Sequence, residues 1–134
     1  MELLEKLKRL EENLKILKEI KESLNIEDIK SNRRYEWEIR YGLLESIQLI
    51  IDISCKIVSN YNLGAPKTYK ECIKLLNKFN YLSSKLSLTL LSMVGLRNLL
   101  VHEYTTIDID KLYSFLENLD DFYSFLKEIK KALK

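Results

Sequence analysis

Residues 31–61 read SNRRYEWEIRYGLLESIQLIIDISCKIVSNY, a stretch without proline. Trp37, Ile39, Tyr41, Leu43, Leu44, Ile47, Leu49, Ile50, Ile51, Ile53, Ile57 and Val58 fall nearly all the way round a helix. A helix that is apolar on every side needs cover on every side. This one is therefore predicted to lie at the centre of a bundle, or to face a second subunit as well. Ser31 or Asn32 can cap its free amides, and it should run to about Tyr61.

The flanking segments supply that cover. On the N-terminal side, Leu3, Leu7, Leu10, Leu14 and Leu17 recur at alternating spacings of four and three, with charges between them. The pattern predicts a helix from the start to about Ser23 with one narrow apolar stripe. Such a seam could take a partner chain; packing within its own bundle is the simpler use. On the C-terminal side, glycine and proline cluster only in Asn62-Leu63-Gly64-Ala65-Pro66, which breaks the chain. A shorter helix is expected over Thr68 to Phe79, then a very apolar one from about Lys85 towards Val101. Ser87, Ser92 and Gly95 on the latter are small enough to let a neighbouring backbone approach closely. Thr105 to Asp108 reads as a loop with Asp108 as N-cap. The last helix carries Leu112, Phe115, Leu119, Phe122, Leu126, Ile129 and Leu133 on one face. Lys127, Lys130, Lys131 and Lys134 sit at its C-terminal end, the favourable sign for the helix dipole.

Composition agrees with this reading. The chain has 134 residues, 46% hydrophobic and 31% charged, with three glycines and one proline. Long helices tolerate such a composition; a turn-rich β-sandwich does not. The expectation is an all-α, single-domain protein over residues 1–134, a bundle of about five helices. A formal net charge of +2 excludes a general polyanion binder, so any nucleic-acid contact must rest on a local basic patch. The N-terminus alternates leucine with charge and lacks the apolar core of a signal peptide. Leu86 to Leu96 is too short to span a bilayer. A cytoplasmic protein without membrane contact is expected. Cys55 and Cys72 form no paired ligand motif and read as reduced packing residues. With one histidine, no zinc site and no cofactor are expected.

The chemistry concentrates late in the apolar fourth helix. After eleven residues without charge come Arg97 and Asn98, then three aliphatics, then His102. An arginine there must find a partner or water, because an unpaired buried charge is costly. Asn98 and His102 are four apart and share a helix face; Arg97 and His102 are five apart, about 140° round an ideal helix. For both to touch one phosphate, the helix must end or distort, or another subunit must complete the site. The residue types suit RNA cleavage without a metal. Histidine can take the proton from a 2′-hydroxyl or give one to the leaving oxygen. Arginine can grip the phosphate and stabilise transition-state charge, and asparagine can hold the scissile group or fix the imidazole tautomer. Taken alone, the same residues also fit a structural or capping role.

Arg97-Asn98-Leu99-Leu100-Val101-His102-Glu103-Tyr104 resembles the Arg-(four residues)-His-x-Tyr motif of the HepT-like toxins, within the HEPN superfamily of helical ribonucleases. The Gly64-x-Pro66 break followed by Tyr69 and Leu75, Met93-Val94 ahead of Arg97-Asn98, and the Ile107-Asp108 start of a final helix also resemble that family, from about Arg33 to the C-terminus. The resemblance implies a homodimer in which the motif-bearing helices of both subunits line one cleft. It makes Arg97 and His102 the catalytic pair with Asn98 supporting, and implies endonucleolytic cleavage by 2′-hydroxyl attack, leaving a cyclic phosphate. It further implies an MNT-type nucleotidyltransferase antitoxin as partner, with AMP transfer to Tyr104, where added phosphate charge and bulk would block RNA. Arg33 and Arg34 could extend a phosphate-binding surface or simply form a solvated helix start. Asp52, set among Ile50, Ile51 and Ile53, must face a polar cleft or pair with a cation. In this family a polar residue on that helix can approach the motif. Two other readings stand beside the ribonuclease: a non-catalytic nucleotide- or RNA-binding or scaffolding module, and a purely structural bundle with a partner-binding leucine seam.

Overall fold

The computed structural model describes residues 2–102 and 106–134. Among these residues seven helices follow one another: α1 (Leu3–Ser23), α2 (Ile26–Ser31), α3 (Arg33–Asn60), α4 (Tyr69–Lys78), α5 (Ser84–His102), α6 (Ile109–Glu117) and α7 (Asp120–Ala132). No strand occurs among the described residues. Four helices begin where a short polar side chain answers a free amide. Asn25 accepts from the Asp28 N–H, Asn32 from Arg34, Thr68 from Glu71 and Asp108 from Lys111. The fold class, the caps Asn32 and Asp108, and the ends of α1, α3, α4 and α5 match the sequence expectation.

The expected five helices become seven for two local reasons. Asn25 and Asp28 close a reciprocal capping box, so six residues form the extra turn-and-a-half of α2. The expected final helix is interrupted at Asn118, whose side chain donates to the Ser114 carbonyl. Leu119 stays in right-handed helical backbone and remains buried, so the apolar stripe crosses the break without losing register.

α3 is the axis of the bundle, packed by α1, α2, α4, α5 and α6. The four buried residues of α1 (Leu7, Leu10, Leu14 and Leu17) lie against it, which assigns the leucine seam to the protein's own core. α1 runs antiparallel to α3, with Lys6 beside Asp52 and Leu17 against Gly42. Cover is nevertheless incomplete. Trp37 and Tyr41 on α3, and Leu88 and Val101 on α5, are exposed. The outer face of α5 is the stripe Leu88, Ser92, Gly95, Asn98 and His102, and a Cβ on Gly95 would meet nothing within 4 Å. No helix among the described residues is long and apolar enough to cross a membrane.

Between α3 and α4 the chain doubles back through Gly64, where φ is +154° and Leu75 lies 3.0 Å from where a Cβ would sit. A side chain there would be strained and would press on Leu75. This return sets α4 against the outer part of α3 and corrects the reading of the cysteines. Cys55 and Cys72 are not separate reduced thiols but a disulfide, with Cα atoms 5.1 Å apart. They stand 17 residues apart on helices that pack face to face, a proximity created by the turn.

Candidate active site at the end of α5

α5 carries Arg97 inward and His102 outward. Arg97 is half-buried in the groove between α5, α3 and the start of α4. Its Nε donates to Gln48 Oε1 at 3.1 Å, and its Nη1 donates to Asn98 Oδ1 at 3.0 Å. Its guanidinium carbon lies 5.7 Å from the centroid of the Tyr69 ring. Among the described residues the second Nη1 hydrogen and both Nη2 hydrogens have no partner, so one edge of the guanidinium remains free to donate.

Gln48 is itself oriented. Its Nε2 donates to Asp52 Oδ1 at 2.9 Å, one helical turn further along α3. An ionised carboxylate only accepts, so Asp52 takes the amide nitrogen and leaves the amide oxygen for Arg97. Lys6 of α1 approaches the other oxygen of Asp52 at 3.8 Å. The chain of contacts Lys6–Asp52–Gln48–Arg97–Asn98 thus links an ion pair, an amide, a third charge and a second amide across three helices. Asp52 was expected to face a cleft or pair with a cation, and it pairs with Lys6 while steering Gln48. Gln48 and Tyr69 were not singled out as site residues. For Gln48 the signal was present, since it is as anomalous among Ile47, Leu49 and Ile50 as Asp52 is among its neighbours. Tyr69 was marked only as part of the family resemblance, with no role at the site.

His102 ends α5, is exposed, and has no hydrogen-bond partner among the described residues. Asn98 shares its exposed face while reaching back to Arg97. Tyr104 lies outside the described residues. Arg33 and Arg34 are not brought to this site. They occupy the first turn of α3, and Gln48 lies on the order of 20 Å further along that helix. Arg34 is exposed, and the Arg33 guanidinium lies 5.6 Å from the Trp37 ring centroid. No group of three or more His, Cys, Asp or Glu side chains among the described residues could hold a metal ion.

A family model described as "Ribonuclease HepT-like" matches residues 10–129. The chain belongs to the HepT-like ribonuclease family. The mRNA nuclease HepT of Shewanella oneidensis is 33% identical over 90 residues, covering 66% of this chain and 68% of that protein. A putative RNase of Archaeoglobus fulgidus is 26% identical over 94 residues, 70% of each chain. In three dimensions the chain is similar to a tri-AMPylated Shewanella oneidensis HEPN toxin solved in complex with its MNT antitoxin. The TM-score there is 0.86 at 25% identity, over 98% of this chain and 99% of that one. The HepT-like match includes α3 and α5 whole, and therefore Gln48, Asp52, Arg97, Asn98 and His102.

Proposed function

We propose that this HepT-like chain, acting as one domain over residues 1–134, is a cytoplasmic endoribonuclease toxin that cuts RNA through Arg97 and His102 without a metal ion. The observation that carries the reading is the state of Arg97. Two partners in its plane hold it, one edge stays free, and the lone histidine stands one turn away and exposed.

The free Nη hydrogens suit two phosphate oxygens and the charge that grows on them as phosphorus becomes five-coordinate. The His102 imidazole takes the proton from the 2′-hydroxyl. The 2′-oxygen bonds to phosphorus, the bond from phosphorus to the 5′-oxygen breaks, and that oxygen takes a proton from solvent, to which the His102 imidazolium returns its own. The products are a 2′,3′-cyclic phosphate and a 5′-hydroxyl. Asn98 supports the guanidinium from the same helix.

Arg97 points into the groove and His102 points out, so one protomer does not aim both at a single phosphate. The uncovered stripe of α5 suggests the solution. Gly95 and Ser92 permit close approach of a second α5, and the likeness to the HepT-like family implies a homodimer whose two motif-bearing helices line one cleft. A dimer there would also cover Leu88. Regulation follows the similar complex: an MNT-type nucleotidyltransferase antitoxin as partner, with Tyr104 as the residue that receives AMP two positions from His102.

The test is incubation of the purified protein with transfer RNA and total RNA in EDTA, beside Arg97→Ala and His102→Ala. Cleavage by the parent alone, with cyclic-phosphate ends, is expected. No cleavage by protein shown by mass to be unmodified at Tyr104 would overturn the nuclease reading in favour of a nucleotide- or RNA-binding module.

A further inference from the structure

Tyr69 opens α4 and is 44% exposed. Core packing does not require it, because the buried side of α4 is Cys72, Ile73 and Leu76. Its place is nonetheless fixed from several directions. Gly64 turns the chain back. Thr68 and Glu71 form a reciprocal capping box, and the Glu71 carboxylate also accepts the Lys67 N–H. Cys72, three residues along the same face, is bonded to Cys55. Cys55 in turn lies three residues beyond Asp52 on α3. The disulfide is therefore the next rung beneath the Gln48–Asp52 pair, and it holds the first turn of α4 level with the guanidinium.

Gln48 and Asn98 bond the guanidinium within its plane, and in-plane bonds resist tilting poorly. The Tyr69 ring supplies a further restraint: the guanidinium carbon lies over it at 5.7 Å, so it attracts the cation from outside the two hydrogen bonds and limits movement on that side. We propose that Tyr69 is a positioning residue for Arg97, setting the tilt at which the free Nη hydrogens meet the phosphate, and that the Cys55–Cys72 disulfide keeps the ring in place. The inference rests on the reading of Arg97 as the phosphate-gripping residue.

Cleavage kinetics on one RNA test it, with the parent, Tyr69→Phe, Tyr69→Leu and Arg97→Ala compared after circular dichroism has shown equal melting temperatures. Tyr69→Leu should lower kcat roughly three- to tenfold and leave KM within about twofold. Tyr69→Phe should keep the parent kcat, since the ring and not the hydroxyl faces the cation. A dithiol reductant breaks the S–S bond, delivers two electrons and two protons to the sulfurs, and leaves as its own disulfide. Reduction should lower kcat in the parent and change nothing further in Tyr69→Leu. A raised KM with unchanged kcat in Tyr69→Leu would overturn the proposal and make the ring a direct RNA contact. A Tyr69→Leu protein as active as the parent, beside a dead Arg97→Ala, would also overturn it. Full activity in Arg97→Ala would overturn the underlying reading instead.

Discussion

Two polar clusters sit one turn apart on α3, and they are built to opposite ends. On the α1 side, Glu45 is saturated. Arg9 donates from Nε at 2.9 Å and from Nη2 at 3.4 Å, Asn13 donates at 2.9 Å, and the Tyr41 hydroxyl donates at 2.7 Å. The Arg9 and Tyr41 hydrogen bonds hold the Glu45 carboxyl down at about 2, well below the usual carboxylate range. On the α5 side, Arg97 is oriented just as firmly but left with donors to spare. A saturated cluster fixes helix on helix and has nothing left for a visitor. An oriented but unsaturated one is preorganised for charge that arrives later.

The sharpest way to break that contrast is to remove each arginine in turn. Arg97→Ala should lower kcat by about a hundredfold or more, in the range seen for lost transition-state donors. Arg9→Ala should leave cleavage within about twofold. Comparable losses from both would mean that the two clusters do not divide the labour in this way.

The next largest effect concerns what each cluster stands on. The open one rests on a covalent cross-link that closes a loop of 17 residues. Replacing both Cys55 and Cys72 by serine should cost about 2–4 kcal/mol in urea unfolding, with helix content retained. A loss much smaller than that would show that packing alone holds α4 in place.

The smallest effect belongs to the closed cluster and is seen through pH. The Glu45 carboxyl titrates lower in the folded chain than in the unfolded one, so its contribution is complete above the ordinary value of 4.5. It is lost as pH falls towards about 2. Glu45→Gln should therefore be less stable than the parent by about 1 kcal/mol at neutral pH, a discounted figure because Arg9 is half exposed. That gap should narrow between pH 4.5 and 2 in urea titrations. Cleavage at neutral pH should not change.

Much of this was legible in the sequence, and the residues show why. Asp52 could be found because a carboxylate inside an isoleucine run has no cheap place to go. Arg97, Asn98 and His102 were marked by polarity at the end of an uncharged helix and by the motif that they spell. Asn32 and Asp108 were readable as caps because capping is local chemistry. Features that depend on distant parts of the chain were not readable. The cysteine pair exists because Gly64 folds one helix back on another, and a spacing of 17 residues carries no trace of that. The six residues of α2 are too few for periodicity to register, and the break at Asn118 leaves the stripe of the last helices intact. Tyr69 matters through a contact with a residue nearly thirty positions away, on a helix that its own segment does not announce.

Arg40 has one further consequence. While its Nε holds Glu36 at 2.8 Å, its Nη2 donates to the Ile107 carbonyl, and the Ile107 side chain is buried. The chain leaving α5 is thus moored at Ile107, five residues after His102. Whatever path the intervening peptide takes, its reach is limited to about 17 Å. Under the proposed AMP transfer, an adduct on Tyr104 would stay near the imidazole because it lies only two positions from His102.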